Sequence, residues 1–219
     1  MINLYFFLVA LIQLGIAVYG AGKLRRYFNW YALLVLIVVF ALAYDNLAIA
    51  AGAVFEAGPL LKAINFPRYW MHAFFLPTTM IAAFGALRMS GVKIGRGKTW
   101  HGIVCTIATL LIGLGMYIDV FNLALEPETD GVMLRYVNTF EPLNGPPIPA
   151  VVTIIAVILI GAILWRHSRF AWLFLGGLVM FITAPLTNML IAQNIGEIAF
   201  AGALVITMIR FNTQTQEAS

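Results

Sequence analysis

Long apolar runs, each closed by a short polar or basic turn, recur along the whole of this chain. They fall at about residues 2–20, 30–54, 69–88, 101–120, 149–165, 169–188 and 192–210. A hydrocarbon layer about 30 Å thick takes about 20 helical residues at 1.5 Å each, so every run predicts a membrane-crossing helix. The pattern therefore predicts an all-α integral membrane protein, a seven-transmembrane-helix bundle forming a single polytopic membrane domain over residues 1–219. The first run lacks a basic leader and is too long for the apolar part of a signal peptide, so it is expected to remain as a helix. Residues 56–68, with Pro59 and Pro67 among Leu60, Leu61, Ile64 and Phe66, are expected to lie along the outer interface. The long outer loop, about 121–148, is acidic and proline-rich, which fits either a lid or binding loop or a disordered connection. The polar tail FNTQTQEAS is expected to fray.

Composition supports the same class. Hydrophobic residues make up 62% of the chain and charged residues 10%, against about 25% charged in soluble domains. The net charge of +4 comes from basic residues scattered through short loops rather than gathered in a patch with aromatic residues. Nucleic acid is thereby excluded as a partner, and the lipid bilayer is the partner implied. Ten of the thirteen basic residues (Lys23, Arg25, Arg26, Arg88, Lys93, Arg96, Lys98, Arg166, Arg169 and Arg210) fall in connections at one end of the predicted bundle. Lys62, Arg68 and Arg135 fall at the other end, with most of the acidic residues. The positive-inside rule then places the N-terminus outside and the C-terminus in the cytoplasm, in a membrane of the bacterial cytoplasmic type. A single cysteine, Cys105, inside an apolar run, supports no disulfide framework and no cysteine metal motif.

The candidate chemistry lies in the polar residues that the apolar runs carry. Asp45 and Asn46 sit past the midpoint of the second run, where a carboxylate costs roughly 2.5–3.5 kcal/mol to insert and so calls for a partner. His72 lies about a turn inside the third helix, Asp119 ends the fourth, Asn188 ends the sixth and Glu197 lies more than a turn inside the seventh. Arg68 stands one turn before His72. With the predicted topology all of these occupy the outer leaflet. Two carboxylates and an imidazole on separate helices suit general acid/base work or metal ligation. Asp45, His72 and Glu197 are accordingly the candidate catalytic residues, and Asn46, Arg68, Asp119 and Asn188 the candidate substrate-binding ones. No motif names a metal or a cofactor. His101 and His167 belong to the opposite end, which rules against a three-histidine zinc site, and no lysine in the last helix is available for a retinal Schiff base. Three functions fit. The first is a membrane-embedded enzyme with an outward-facing polar site, acting on a lipid or other amphiphile; the others are a proton- or ion-coupled transporter of a small solute and a non-catalytic scaffold or assembly factor.

Overall fold

The structure, a computed structural model, describes residues 2–130, 133–140, 142, 147–185 and 190–217. In lipid every backbone N–H and C=O needs an internal partner, so the apolar runs become helices. In chain order these are α1 (Ile2–Leu24), α2 (Trp30–Ala50), α3 (Pro59–Phe75), α4 (Thr78–Met89), the short α5 (Lys93–Arg96), α6 (Lys98–Met116), α7 (Ile148–Ser168), α8 (Trp172–Thr183) and α9 (Leu190–Glu217). Among the described residues five helices are long and apolar enough to cross a membrane, and α3 with α4 makes a sixth if the bent pair is one span. The chain is thus a predominantly helical, multi-pass membrane protein. At 12 residues α8 is about 18 Å long, short of the hydrocarbon thickness.

The main core lies where α2, α4, α7, α8 and α9 meet, around Val39, Ala82, Leu164, Leu173, Leu204 and Met208. Lipid is as apolar as leucine, so helices hold together in a membrane by close packing, and small residues permit it. At Gly161 an added Cβ would sit 2.5 Å from the backbone nitrogen of Phe174, which locks α7 against α8. α1 packs on α2 and α9, while α3 packs on α2 and α6. One end of the bundle is tied by Asn29. Its side chain caps α2 by accepting from the Ala32 N–H, and its amide donates to Asn212 Oδ1 at 2.6 Å. The basic turn after α1 therefore meets the end of α9.

The third expected helix differs in both its start and its course. It begins at Pro59, not near 69, with Pro67 inside it. Proline suits the first turn of a helix, where its missing N–H has no partner to lose. Leu61, Asn65, Arg68 and Ala73 are buried along this helix, spaced by about a turn, and turn it into the bundle rather than along the interface. After Phe75 the chain bends by 42° into α4. Pro77 supplies no N–H there, and the hydroxyls of Thr78 and Thr79 donate to the carbonyls of Phe75 and Leu76. The break thereby keeps its polar groups satisfied.

The long loop also holds structure that the helical pattern did not predict. β1 (Leu125–Asp130) and β2 (Met133–Asn138) pair antiparallel, with Leu125 opposite Asn138 and Glu128 opposite Arg135. Leu125 and Tyr136 are buried with Leu61 of α3, and Leu134 packs beside them. A Cβ at Gly52, just past α2, would collide with the carbonyl oxygen of Leu134, so the close seat of β2 depends on that glycine. The hairpin is a roof fixed to the ends of α2 and α3.

Candidate functional site

Asp45 and Asn46 are consecutive on α2 and so point about 100° apart. Asp45 faces α3. Its Oδ1 lies 2.8 Å from Arg68 Nε and 3.4 Å from His72 Nε2. Arg68 and His72 are four residues apart, which places them on one face of α3. The pairing continues outward: Arg68 Nη1 donates to Asn65 Oδ1 at 2.7 Å, and Asn65 Nδ2 donates to the Leu61 carbonyl at 2.9 Å. The backbone N–H of Tyr136 reaches the same Asn65 oxygen at 3.4 Å, so a polar chain runs from the hairpin to Asp45. Asp45 and Arg68 are buried, whereas the His72 side chain is 38% exposed. An ion pair taken out of water survives when its partners are close and further bonds support them, as the Arg68–Asn65 bond does here.

The exposed edge of His72 lines a cavity of about 360 Å³ between α3, the end of α6, the hairpin and the start of α7. Its polar groups are Tyr69, His72, Asp119 and Asn138; Leu76, Ile118 and Phe140 are among its apolar ones. A recess of about 210 Å³, bordered by Asp45 and Arg68, shares Tyr69, His72 and Asp119 with it, so the two adjoin. Asp119 stands in a turn of π-helix, residues Tyr117–Phe121, that continues α6. Such turns widen a helix locally and often carry functional side chains. Asn138 Nδ2 donates to Asp119 Oδ1 at 3.1 Å, while Asn138 Oδ1 accepts from the N–H groups of Ala124 and Phe140. The Tyr69 hydroxyl donates to the Tyr136 carbonyl at 3.0 Å and accepts from the Asn138 N–H at 3.1 Å. One wall of the cavity is thereby sewn to its roof.

Of the residues singled out from the sequence, Asp45, Arg68, His72 and Asp119 come together around these two spaces. Asn46 and Glu197 come together elsewhere. Asn46 Nδ2 donates to Glu197 Oε2 at 2.9 Å and to Gln13 Oε1 at 3.1 Å, and Gln13 Nε2 donates to the same Glu197 oxygen at 3.3 Å. Neither residue lines the cavity or the recess. Asn188 lies outside the described residues. Among the described residues no three His, Cys, Asp or Glu side chains converge as metal ligands.

Gln13, Asn65, Tyr69 and Asn138 complete both clusters and were not anticipated. Gln13 was visible as an amide well inside the first apolar run, and Asn65 as a polar residue one turn before Arg68. Nothing local marks Tyr69 or Asn138, whose roles depend on where the hairpin docks. Compared with known proteins, the chain matches no protein-family model and no curated protein sequence.

Proposed function

We propose that this protein is a membrane-embedded enzyme whose outward-facing site binds a lipid or other amphiphile and acts on it by proton transfer. The observation that carries this is the juxtaposition of the buried Asp45–Arg68–His72 group with a cavity that is polar on one side and apolar on the other. Ligand sites of this kind are mostly apolar, with a few placed polar groups that fix orientation. The apolar wall of Leu76, Ile118 and Phe140 suits a hydrocarbon portion, and His72, Tyr69 and Asp119 suit a polar head. His72 is the proton carrier. With Nε2–H donated to Asp45, its Nδ1 holds the lone pair that accepts a proton from the substrate, and Asp45 stabilises the imidazolium that forms. Arg68 keeps Asp45 ionised and in place, a positioning role.

The topology that goes with this proposal has seven spans: α1, α2, the bent pair α3–α4, α6, α7, the segment beginning with α8, and α9. The N-terminus and the hairpin lie outside and the basic turns in the cytoplasm, supported by the loop-charge asymmetry. A coupled transporter is the second reading. It is favoured by the break at Leu76–Pro77, one turn below His72, since broken helices are common at transport sites. The test is complementation of a deletion phenotype by His72→Gln and Asp45→Asn, scored only where variants reach wild-type levels in the membrane. Loss of function with retained lipid binding is expected. Full function in both variants would refute the acid/base role, and proton-driven uptake of a solute into liposomes would favour the transporter.

A further inference from the structure

Across α2 from the cavity, Glu197 of α9 is half-buried against Gln13 of α1 and Asn46 of α2, both fully buried. Its Oε2 accepts from two neutral amides. Among the described residues no lysine, arginine or histidine lies within ion-pairing distance of it, unlike Asp45. A bare carboxylate in that setting is costly, and amide dipoles offset only part of the cost. One acceptor beside it also lacks a donor. Asn46 Oδ1, on the same amide that donates to Glu197, is a buried acceptor with no hydrogen-bond partner. A carboxylic acid can accept from the Asn46 amide nitrogen and give its O–H to this oxygen; a carboxylate can only accept.

We propose that Glu197 is an intramembrane proton-binding site, distinct from the cavity, in which Gln13 and Asn46 hold the carboxyl and the proton takes the place of a counter-cation. A metal cation fits the geometry less well. The oxygens that converge here, Gln13 Oε1, the Leu42 carbonyl and Glu197 Oε2, all lie within 3.1 Å of the Asn46 amide nitrogen, so the point an ion would occupy is already filled. The charged groups that act on Glu197 are Asp45 from α2 and Arg68 and His72 from α3, and Tyr5 of α1 is the titratable neighbour, in contact with Asn194. Loss of the proton would leave carboxylates on two successive faces of α2, one of them beside the cavity. The proton on Glu197 thus sets the charge felt by the His72–Asp45 pair.

The test is isotope-edited infrared spectroscopy of the full chain in lipid nanodiscs at neutral pH, with carbon-13 label on the glutamate carboxyls. Glu56, Glu126, Glu128, Glu141 and Glu217 are replaced by glutamine, so that Glu197 is the one glutamate left in the chain. A carbonyl stretch of a protonated carboxylic acid is expected, and Glu197→Gln, isosteric with the neutral acid, is expected to abolish it without loss of thermal stability. Only carboxylate bands in the wild type, or an acid band that survives in Glu197→Gln, would overturn the proposal. A sodium-dependent rise in thermal stability that Glu197→Gln removes would overturn it in favour of a metal ion. Should Glu197→Gln fail to fold, Asn46→Leu is the second variant: a shifted acid band supports the assignment, and an unshifted one overturns it.

Discussion

Replacing Arg68 by methionine keeps a long, flexible stem but removes the guanidinium that lies 2.8 Å from Asp45. Both side chains are about nine-tenths buried, so water screens the pair little. Breaking a buried pair by deleting one partner costs about 3–5 kcal/mol, because the other charge is left uncompensated. His72 at 3.4 Å can take part of that charge, which puts the expected cost near the low end, about 3 kcal/mol. That is about two orders of magnitude in the unfolding equilibrium constant. Asn65 also loses the donor to its Oδ1, so the hairpin contact through Tyr136 should loosen. The assay is reversible unfolding in bicelles, run as a double-mutant cycle with Asp45→Asn, Arg68→Met and both together. Ordinary interhelical hydrogen bonds in a membrane give coupling of about 0.6 kcal/mol on average and about 1.7 at most. A coupling above that range is expected here. A value near 0.6 kcal/mol would mean that the two residues form an ordinary interhelical contact, and the reasoning from buried charge would fail.

Tyr69→Phe removes the hydroxyl that bridges the Tyr136 carbonyl and the Asn138 N–H. It should destabilise the hairpin by about 1–3 kcal/mol, read as faster amide exchange across residues 134–138 with the exchange of α9 unchanged. In a Cys105→Ala background, cysteine at Glu126 is expected to react with an impermeant maleimide on intact cells, and cysteine at Lys93 only after lysis. The opposite result would invert the proposed orientation.

The bundle was legible because lipid leaves few options: a run of about 20 apolar residues can satisfy its backbone only as a helix. That Asp45 needs a partner was legible for a similar reason, but that Arg68 and His72 of α3 both supply it is read from the structure. Grouping Asp45 with Glu197 in one site overlooked helical geometry. Neighbouring residues diverge by about 100°, so Asp45 and Asn46 were bound to address different helices. The hairpin did leave a trace, the Asp130–Gly131 dipeptide favoured in tight turns, but the segment LEPETD that leads into it, with two glutamates, a proline and an aspartate, is poor in strand formers. Its docking left none, because the seat of Leu134 on Gly52 and the bonds of Asn138 to the end of α6 join residues far apart in sequence. The sixth expected helix, 169–188, appears as α8 over Trp172–Thr183, and its last three residues, 186–188, lie outside the described residues.

Native mass spectrometry of the full chain released from its own membranes tests the amphiphile site most directly, with Ala150→Phe as the comparison. Ala150 lines the cavity but makes no part of the Asp45–Arg68–His72 group, so a phenylalanine there should occupy space without disturbing the charges. A single lipid or amphiphile species bound one to one to the wild type, and lost from a stably folded Ala150→Phe variant, is the expected result. A wild-type protein that carries no such species, or carries it equally in the filled variant, would contradict the assignment of this cavity.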